Sequence, residues 1–313
     1  MRALITGVGG FCAAHLVLRL RQEANAEIAG VDRMAASPAQ ARLDRYFQAD
    51  ITDGEAIERA IRIFAPDWLF HLAGVSGSSV PSACLYAVNI SGTVNVLEAI
   101  RRSSPNCRVL LAGSSAEYGA VDAAALPATE ETVCKPVGAY GISKYAATLT
   151  GIDYAHRLGL KVIVARPSNV IGPGVPASLV VGAILARAKQ ALGTLHPLVK
   201  VGDFESERDF IDVADVVDAY VKLIHSSAWG EIFNLSSGSA HSIRHVAETL
   251  AANSSRPIEL EFDPNLVSPS IVRTLYCSYQ KAERAIGFRP STSLEETLKA
   301  CWCAEMRVDV ACA

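Results

Sequence analysis

Charge is scarce in this chain and nearly balanced. Only 19% of its 313 residues are charged, 29 Lys+Arg stand against 32 Asp+Glu, and the net charge is -3. That leaves no basic field to hold nucleic acid or an anionic membrane. Small molecules or further copies of the same chain are the expected partners. The eight cysteines, Cys12, Cys84, Cys107, Cys134, Cys277, Cys301, Cys303 and Cys312, form no C-x-x-C pair and have no histidines at finger spacing, so no zinc or other metal site is expected. Scattered buried thiols are expected instead. The chain opens on a strand-like "RALITG" and has no uninterrupted apolar run of about 18 residues, so neither a signal peptide nor a membrane span is expected. A reducing, cytoplasmic compartment follows from these two readings.

What the chain does have is apolar material. Half of its residues are hydrophobic, and its length exceeds that of most single cores, so a large α/β domain with an appended lobe is expected. Short apolar runs at Ala3 to Thr6, Glu27 to Val31, Trp68 to Leu72, Val109 to Ala112 and Lys161 to Ala165 alternate with amphipathic helical stretches. Alternation of this kind predicts a parallel sheet with helical crossovers. After "RPSNVIGPG" the pattern loosens and proline becomes common, with "PIELEFDP" as a further strand and Leu294 to Met306 as a closing helix. The expected organisation is a doubly wound Rossmann domain over residues 1–168 with returns near 208–240. Residues 169–313 would form mainly a smaller C-terminal substrate-binding lobe interleaved with it.

"LITGVGGFCAAHL" sets Gly7, Gly9 and Gly10 between a strand and a helix. Glycines there permit a tight turn and let backbone N–H groups approach a pyrophosphate at the helix N-terminus. A Gly-rich turn alone is weak, but Asp32 closes the next apolar strand, "EIAGVD", where a carboxylate accepts hydrogen bonds from an adenine ribose. Asp32 would repel a ribose phosphate, which favours NAD(H), whereas the neighbouring Arg33 keeps NADP(H) open. Asp50 and Ile51, then Leu72, Ala73 and Gly74, follow at strand ends on the same side and offer small surfaces for the cofactor. His71 reads as a satisfied core histidine.

In "AYGISK", Tyr140 is the one tyrosine of nine with a lysine at i+4. On a helix that spacing puts Tyr140 and Lys144 on one face. A nearby ammonium favours phenolate and draws a phenol of ordinary pKa about 10 toward neutral pH.

Together "TGVGGF", "HLAG", "GSSAEYG", "AYGISK" and "RPSNVIGPG" resemble the extended short-chain dehydrogenases/reductases, in that family's order and over essentially the whole chain. The resemblance implies that Tyr140 is the catalytic acid/base, that Lys144 binds the nicotinamide ribose and lowers the phenol pKa, and that Ser114 bonds the substrate carbonyl, with Ser115 the second choice. It adds Phe11 and Pro167 to the cofactor set. Two residues before Tyr118, relatives that eliminate water carry glutamate and the fucose-forming epimerase-reductases carry cysteine. Here Ala116 stands at that position, so plain carbonyl reduction is the simplest chemistry. Glu117 is expected to reach toward a sugar hydroxyl.

In the last third, "ARPSNVIGPG", "VGDFESERDFIDVADVVDAY" and "GEIFNLSSGSAHSIRHVAETL" are most similar to GDP-6-deoxy-4-ketohexose reductases. That likeness implies that Asn169 and Arg208 hold a diphosphate and that Val180, Arg187 and Val201 border the nucleotide. An ion pair of Arg208 with Asp209 or Asp212 is the alternative. Relatives carry arginines after "DP", where this chain has Leu266 and Ser268, and Arg187 comes one residue late, which turns a helical side chain by about 100 degrees. Guanine and thymine nucleotides therefore both stay open.

The expected function is NAD(P)H-dependent reduction of the C4 ketone of a nucleotide-diphosphate 4-keto-6-deoxyhexose, giving GDP-D-rhamnose or GDP-6-deoxytalose if GDP-linked. A nucleotide-sugar epimerase or 4,6-dehydratase is the alternative enzyme, and a cofactor-sensing binding protein the non-enzymatic one. Helices over Ser82 to Arg102 and Tyr140 to Arg157 are expected to form a four-helix homodimer interface, as relatives do.

Overall fold

A computed structural model describes residues 1–35, 42–77, 80–267 and 272–306. The first half runs β1 (Arg2–Thr6), α1 (Phe11–Leu20), β2 (Glu27–Asp32), β3 (Arg45–Gln48), α2 (Gly54–Phe64) and β4 (Trp68–His71). It continues through α3 (Ser82–Tyr86), a π-turn (Ala87–Ser91), α4 (Gly92–Ser103), β5 (Arg108–Ala112), α5 (Gly138–Leu158) and β6 (Lys161–Pro167). The rest comprises β7 (Asn169–Ile171), α6 (Val180–Ala191), β8 (Leu198–Val201), β9 (Glu207–Arg208), β10 (Phe210–Asp212), α7 (Val213–His225) and β11 (Ile232–Leu235). It ends with β12 (His241–Ser242), α8 (Ile243–Ala252), β13 (Glu259–Phe262), β14 (Thr274–Leu275), α9 (Gln280–Ile286) and α10 (Leu294–Met306).

Seven strands form one parallel sheet in the order β11-β6-β5-β4-β1-β2-β3. This is the doubly wound arrangement expected, with the order reversing between β1 and β4. The five apolar runs all lie in it. β3 and β11 were not anticipated; they form its two edges, where a strand needs no continuous apolar run.

Alternation along each strand feeds two cores. Ala3, Ile5, Phe70, Leu110 and Ile163 point to the side covered by α1 and α7, while Leu4, Leu69, Val109, Leu111 and Val162 point to α2, α4 and α5. α2 shows how the local sequence meets this demand. Its Ile57, Ala60, Ile61 and Phe64 recur at helical spacing and are buried, and Asp53 caps its N-terminus by accepting from Ala56 N at 3.0 Å. A third core joins α6, α8 and α10 with β8, around Val181, Ile184, Val246 and Trp302. Phe11 packs against both this core and the first.

No membrane span was expected from the sequence, and among the described residues the helical run Ser82–Ser103 is the one helix to weigh against that expectation. By length and composition alone it qualifies, with a mean hydropathy of 1.3 over 18 residues. In the fold its inward face packs on α2 and α5, and it carries the buried polar residues Asn89 and Thr93.

Candidate active site

The turn after β1 meets the C-terminal ends of β2 and β4 because all three strands finish level, Thr6 pairing with Val31 on one side and His71 on the other. Gly7 sits at φ +69, and a Cβ there would lie 2.6 Å from the Ala73 Cα, so only glycine lets the two loops touch. Gly9 and Gly10 are exposed. Gly10 is the N-cap of α1 and no side chain caps that helix, which leaves its first-turn N–H groups to an anionic ligand. Asp32 accepts from Gly9 N at 2.9 Å and from Met34 N at 3.1 Å, so the acidic residue is held at the lip of the turn. Arg33 is exposed beside it. Asp50 accepts from the Thr52 N–H and hydroxyl, Ile51 is buried, and Leu72, Ala73 and Gly74 are accessible where β4 ends. Pro167 is the buried last residue of β6. This cradle fits a dinucleotide.

His71 is the core histidine expected. Its Nδ1 meets the Thr6 hydroxyl at 2.7 Å and its Nε2 the Thr93 hydroxyl at 3.0 Å. Burial, followed by the Lys144 charge, pushes its pKa down to about 3.

α5 carries Tyr140, Lys144 and Thr148 along one face. Gly141 brings that helix against the turn after β5, since a Cβ there would stand 2.8 Å from the Ala116 carbonyl oxygen. Ser114 caps the 3₁₀ turn Ser115–Glu117 by accepting from Ala116 N at 3.2 Å, and its hydroxyl is near enough to the Tyr140 phenol to pull the phenol pKa down. Lys144 Nζ donates to the Ala112 carbonyl at the end of β5. The structure thus brings Ser114, Tyr140 and Lys144 together.

Four expectations need correction. Burial raises the Tyr140 pKa above its ordinary 10.0, the nearby Ser114 hydroxyl lowers it, and the Glu117 and Cys12 charges raise it again. Desolvation thus outweighs any help from Lys144, whose own pKa burial pulls down while Glu117 holds it up. Glu117 does not face a sugar. It is fully buried, with Oε2 accepting from Arg166 Nε at 2.7 Å and Oε1 from Ser114 N at 2.8 Å and the Thr148 hydroxyl at 2.9 Å. The 3₁₀ turn points Ser114 and Ala116 outward and buries Ser115 and Glu117, so Ser115 does not share the role of Ser114. Val201 is 1% exposed in the core of the second lobe, and its carbonyl accepts from Asp263 N, so its side chain borders no ligand.

The other residues assigned to the substrate spread along the second lobe. Asn169 is exposed on β7 and donates its side-chain N–H to the Asp209 carbonyl at 2.8 Å. Arg208 makes no ion pair with Asp209 or Asp212. Its guanidinium donates to the carbonyls of Glu207, Val272 and Arg273 at 2.8 to 2.9 Å, while Asp209 takes N–H groups of Ser237, Gly238 and Cys277. Arg187 is tied to the Lys200 carbonyl at 3.0 Å, and Val180 is exposed at the start of α6. Ser268 and Cys312 lie outside the described residues. The described cysteines are free; Cys107, Cys277 and Cys301 are buried, whereas Cys84 is exposed.

Two residues escaped the sequence reading. Arg166 is the one charge inside the apolar strand "VIVARP", which signals a buried partner. Asn89, 2% exposed in the π-turn, bonds Val75 N and O and the Ser143 hydroxyl, tying the loop after β4 to α5. A cavity of about 600 Å³ between Asp67, Trp68, Arg108 and Lys161 lies at the opposite, N-terminal ends of the strands and is remote from this chemistry.

A level sheet edge, an uncapped glycine turn with an acidic lip and an adjacent Ser-Tyr-Lys cluster define a dinucleotide-dependent enzyme of Rossmann architecture. Residues 3–236 match the NAD dependent epimerase/dehydratase family. The chain is 31% identical to GDP-6-deoxy-D-mannose reductase of Pseudomonas aeruginosa, over 96% of its own length and 95% of that protein's. It is 28% identical to UDP-glucose 4-epimerase of Mycolicibacterium smegmatis, over 95% and 96%. The structure of RMD from Pseudomonas aeruginosa complexed with NADPH superposes with a TM-score of 0.83 and 29% identity, covering 98% of this chain and 99% of that one. The UDP-glucose 4-epimerase of Thermus thermophilus in complex with NAD gives 0.86 and 26%, over 99% and 100%. The chain belongs to the NAD dependent epimerase/dehydratase family, the extended branch of the short-chain dehydrogenases/reductases, and uses a nicotinamide dinucleotide.

In the cofactor-free protein the Tyr140 phenol should ionise above its ordinary value of 10.0. Its ultraviolet phenolate signal, taken as wild type minus Tyr140→Phe, should therefore appear only at higher pH. A Tyr140-dependent step below about pH 9 would show that Lys144 outweighs burial.

Proposed function

We propose that the protein is an NAD(P)H-dependent reductase of the C4 ketone of a nucleotide-diphosphate-linked 4-keto-6-deoxyhexose. A GDP-linked sugar is favoured, giving GDP-D-rhamnose or GDP-6-deoxytalose, and a dTDP-linked one is second. The observation that carries this reading is Ala116. It is the outward residue next to Ser114 on the catalytic turn, while the neighbouring carboxylate, Glu117, is buried against Arg166. Abstraction of a C–H proton from the sugar would need an acid, base or thiol at the outward position; ketone reduction needs none.

The nicotinamide supplies the hydride when bound. Tyr140 gives its proton to the carbonyl oxygen and recovers one from solvent, Ser114 orients that oxygen, and Lys144 holds the ribose. Asn169 and Arg208 are assigned to the diphosphate, with Val180 and Arg187 toward the nucleoside. The level strand ends supply Gly7, Gly9, Gly10, Phe11, Asp32, Asp50, Ile51, Leu72, Ala73, Gly74 and Pro167 for the cofactor. We assign residues 1–168, with returns near 208–240, to cofactor binding and most of 169–313 to the substrate. The four-helix dimer is retained as part of this reading. α5 exposes Ile142 and Leu149 on one face, two turns apart, with Tyr86 exposed on α3, which is apolar surface suited to a second copy.

Incubation with GDP- and dTDP-linked 4-keto-6-deoxysugars and each nicotinamide cofactor, with the product identified by NMR, tests the proposal. Reduction at C4 with freely exchanging cofactor is expected; tightly retained NAD and interconversion of hydroxyl epimers would favour an epimerase. On the confirmed substrate Tyr140→Phe should lower turnover about 10²-fold with cofactor binding nearly unchanged.

Cofactor choice rests on Asp32. Its carboxylate is held in place at the turn, whereas Arg33 stands in solvent, where attraction to a phosphate is screened. NADH should be used at least as well as NADPH, and Asp32→Ala should move the ratio of kcat/KM toward NADPH. A wild-type preference for NADPH above about tenfold would mean that Arg33 dominates. Sedimentation at micromolar concentration should show a dimer, and a monomer there would remove the helical interface from this reading.

A further inference from the structure

Glu117 is a carboxylate without a solvent-facing role, buried directly behind the reacting groups. It is wedged between β6 and α5. One oxygen faces Arg166, and the other takes the Ser114 N–H and the hydroxyl of Thr148, one turn beyond Lys144. Gly113 makes room for it, since a Cβ there would stand 2.7 Å from Oε1. The guanidinium lies on the far side, over the Tyr118 ring at 5.1 Å and bonded to the Tyr118 hydroxyl, which in turn donates to Asn234. The ion pair is therefore oriented, with its anionic end toward α5. A buried ion pair is often no more stabilising than an apolar pair of similar shape, so stability alone gives little reason for its position at the catalytic turn.

We propose that Glu117 is a positioning residue of this active site: from its buried place behind the catalytic turn it fixes the backbone of Ser114 and, through its charge, favours the proton-donating form of Tyr140. The inference rests on the reductase reading and deepens it. Reduction needs a phenol when the hydride arrives, whereas an epimerase or dehydratase begins by oxidation and needs phenolate. An anion behind Tyr140 disfavours phenolate and so biases the site toward reduction. The same charge favours the cationic form of Lys144 against the desolvation that lowers its pKa, and the guanidinium lies on the side of Glu117 away from α5. Tyr118 and Cys134 stand beside Arg166, and burial pushes both upward; the other titratable groups around the pair are Cys12 on α1, Tyr220 on α7 and His71 on β4. Burial holds all three neutral at pH 7. Burial, the largest influence, leaves the Glu117 carboxyl above its ordinary value, while the Arg166 charge and the Ser114 N–H oppose it; the 2.7 Å pairing with Arg166 Nε and the two further donors favour the carboxylate.

The test separates charge from packing. Glu117→Gln alone would leave Arg166 buried and unpaired, so the informative variants are the neutral pair Glu117→Gln/Arg166→Gln and the charge-keeping Glu117→Asp, each with and without Tyr140→Phe. Thermal melts establish that each is folded. The Tyr140 phenolate step, read by ultraviolet difference without cofactor or substrate, should fall by about one pH unit in the neutral pair and stay in place in Glu117→Asp. With substrate, the alkaline limb of kcat should fall with it, and kcat should drop about tenfold while the KM for NADH stays within about twofold. A Tyr140 step unmoved in the folded neutral pair, or moved equally by Glu117→Asp, overturns the proposal. If wild type reduces no 4-keto sugar, the reductase reading fails separately, and the phenolate titration still decides the role of Glu117.

Discussion

Parallel strands impose one constraint from which the rest of this structure follows. Each strand must be followed by a crossover that returns the chain to the starting edge, so every strand of the main sheet ends on the same side. Here the order reverses between β1 and β4, and the connections leave in opposite directions, opening a crevice over two strands that end level. The glycine turn, Asp32, the 72–74 segment, the Ser114 turn and Pro167 are each the ends or first residues beyond strands. Their proximity is a property of topology, achieved without any of them being near another in sequence.

Rigidity at that edge comes from buried polar groups that are fully partnered. His71 bridges two threonines, Asn89 clasps the Val75 backbone to α5, and Glu117 joins Arg166, Thr148 and Ser114. Each group would be costly if left unmatched in so dry an environment, so the loops they hold cannot drift without losing several bonds at once. The second lobe is tied to this edge at defined points. Phe11 packs into both cores, and Asp212 caps α7 while accepting from Thr297 of α10 at 2.8 Å. Groups proposed to act on the cofactor and groups proposed for the nucleotide thus sit on parts that are packed against each other.

Much of this was legible in the sequence wherever the cause is local. A glycine turn before a helix, an acid ending the next strand and a Tyr-Lys pair at i+4 are fixed by backbone geometry within a few residues, and all three lie where they were expected. The five inner strands were readable as apolar runs because burial on both faces demands them. β3 is only partly covered and β11 is an edge strand of mixed pattern, so neither carried that signal. The closing helix expected over Leu294 to Met306 is α10.

What tertiary structure alone decided concerns direction and burial. The spacing "SSAEYG" holds a serine and a glutamate near the site, but which face of a one-turn helix each presents depends on packing against α5 and β6. Only that packing turned Glu117 inward to Arg166, forty-nine positions away. The shift at Tyr140 follows the same logic. Its spacing to Lys144 predicts a lowered pKa, yet the desolvation that raises it is set by surrounding chain segments brought in by the fold. Val201 was likewise taken for a lining residue and is core, because whether a strand residue faces cleft or interior depends on which sheet face is covered. Local chemistry is written in adjacent residues, whereas the electrostatic environment of each group is a sum over neighbours that only folding assembles.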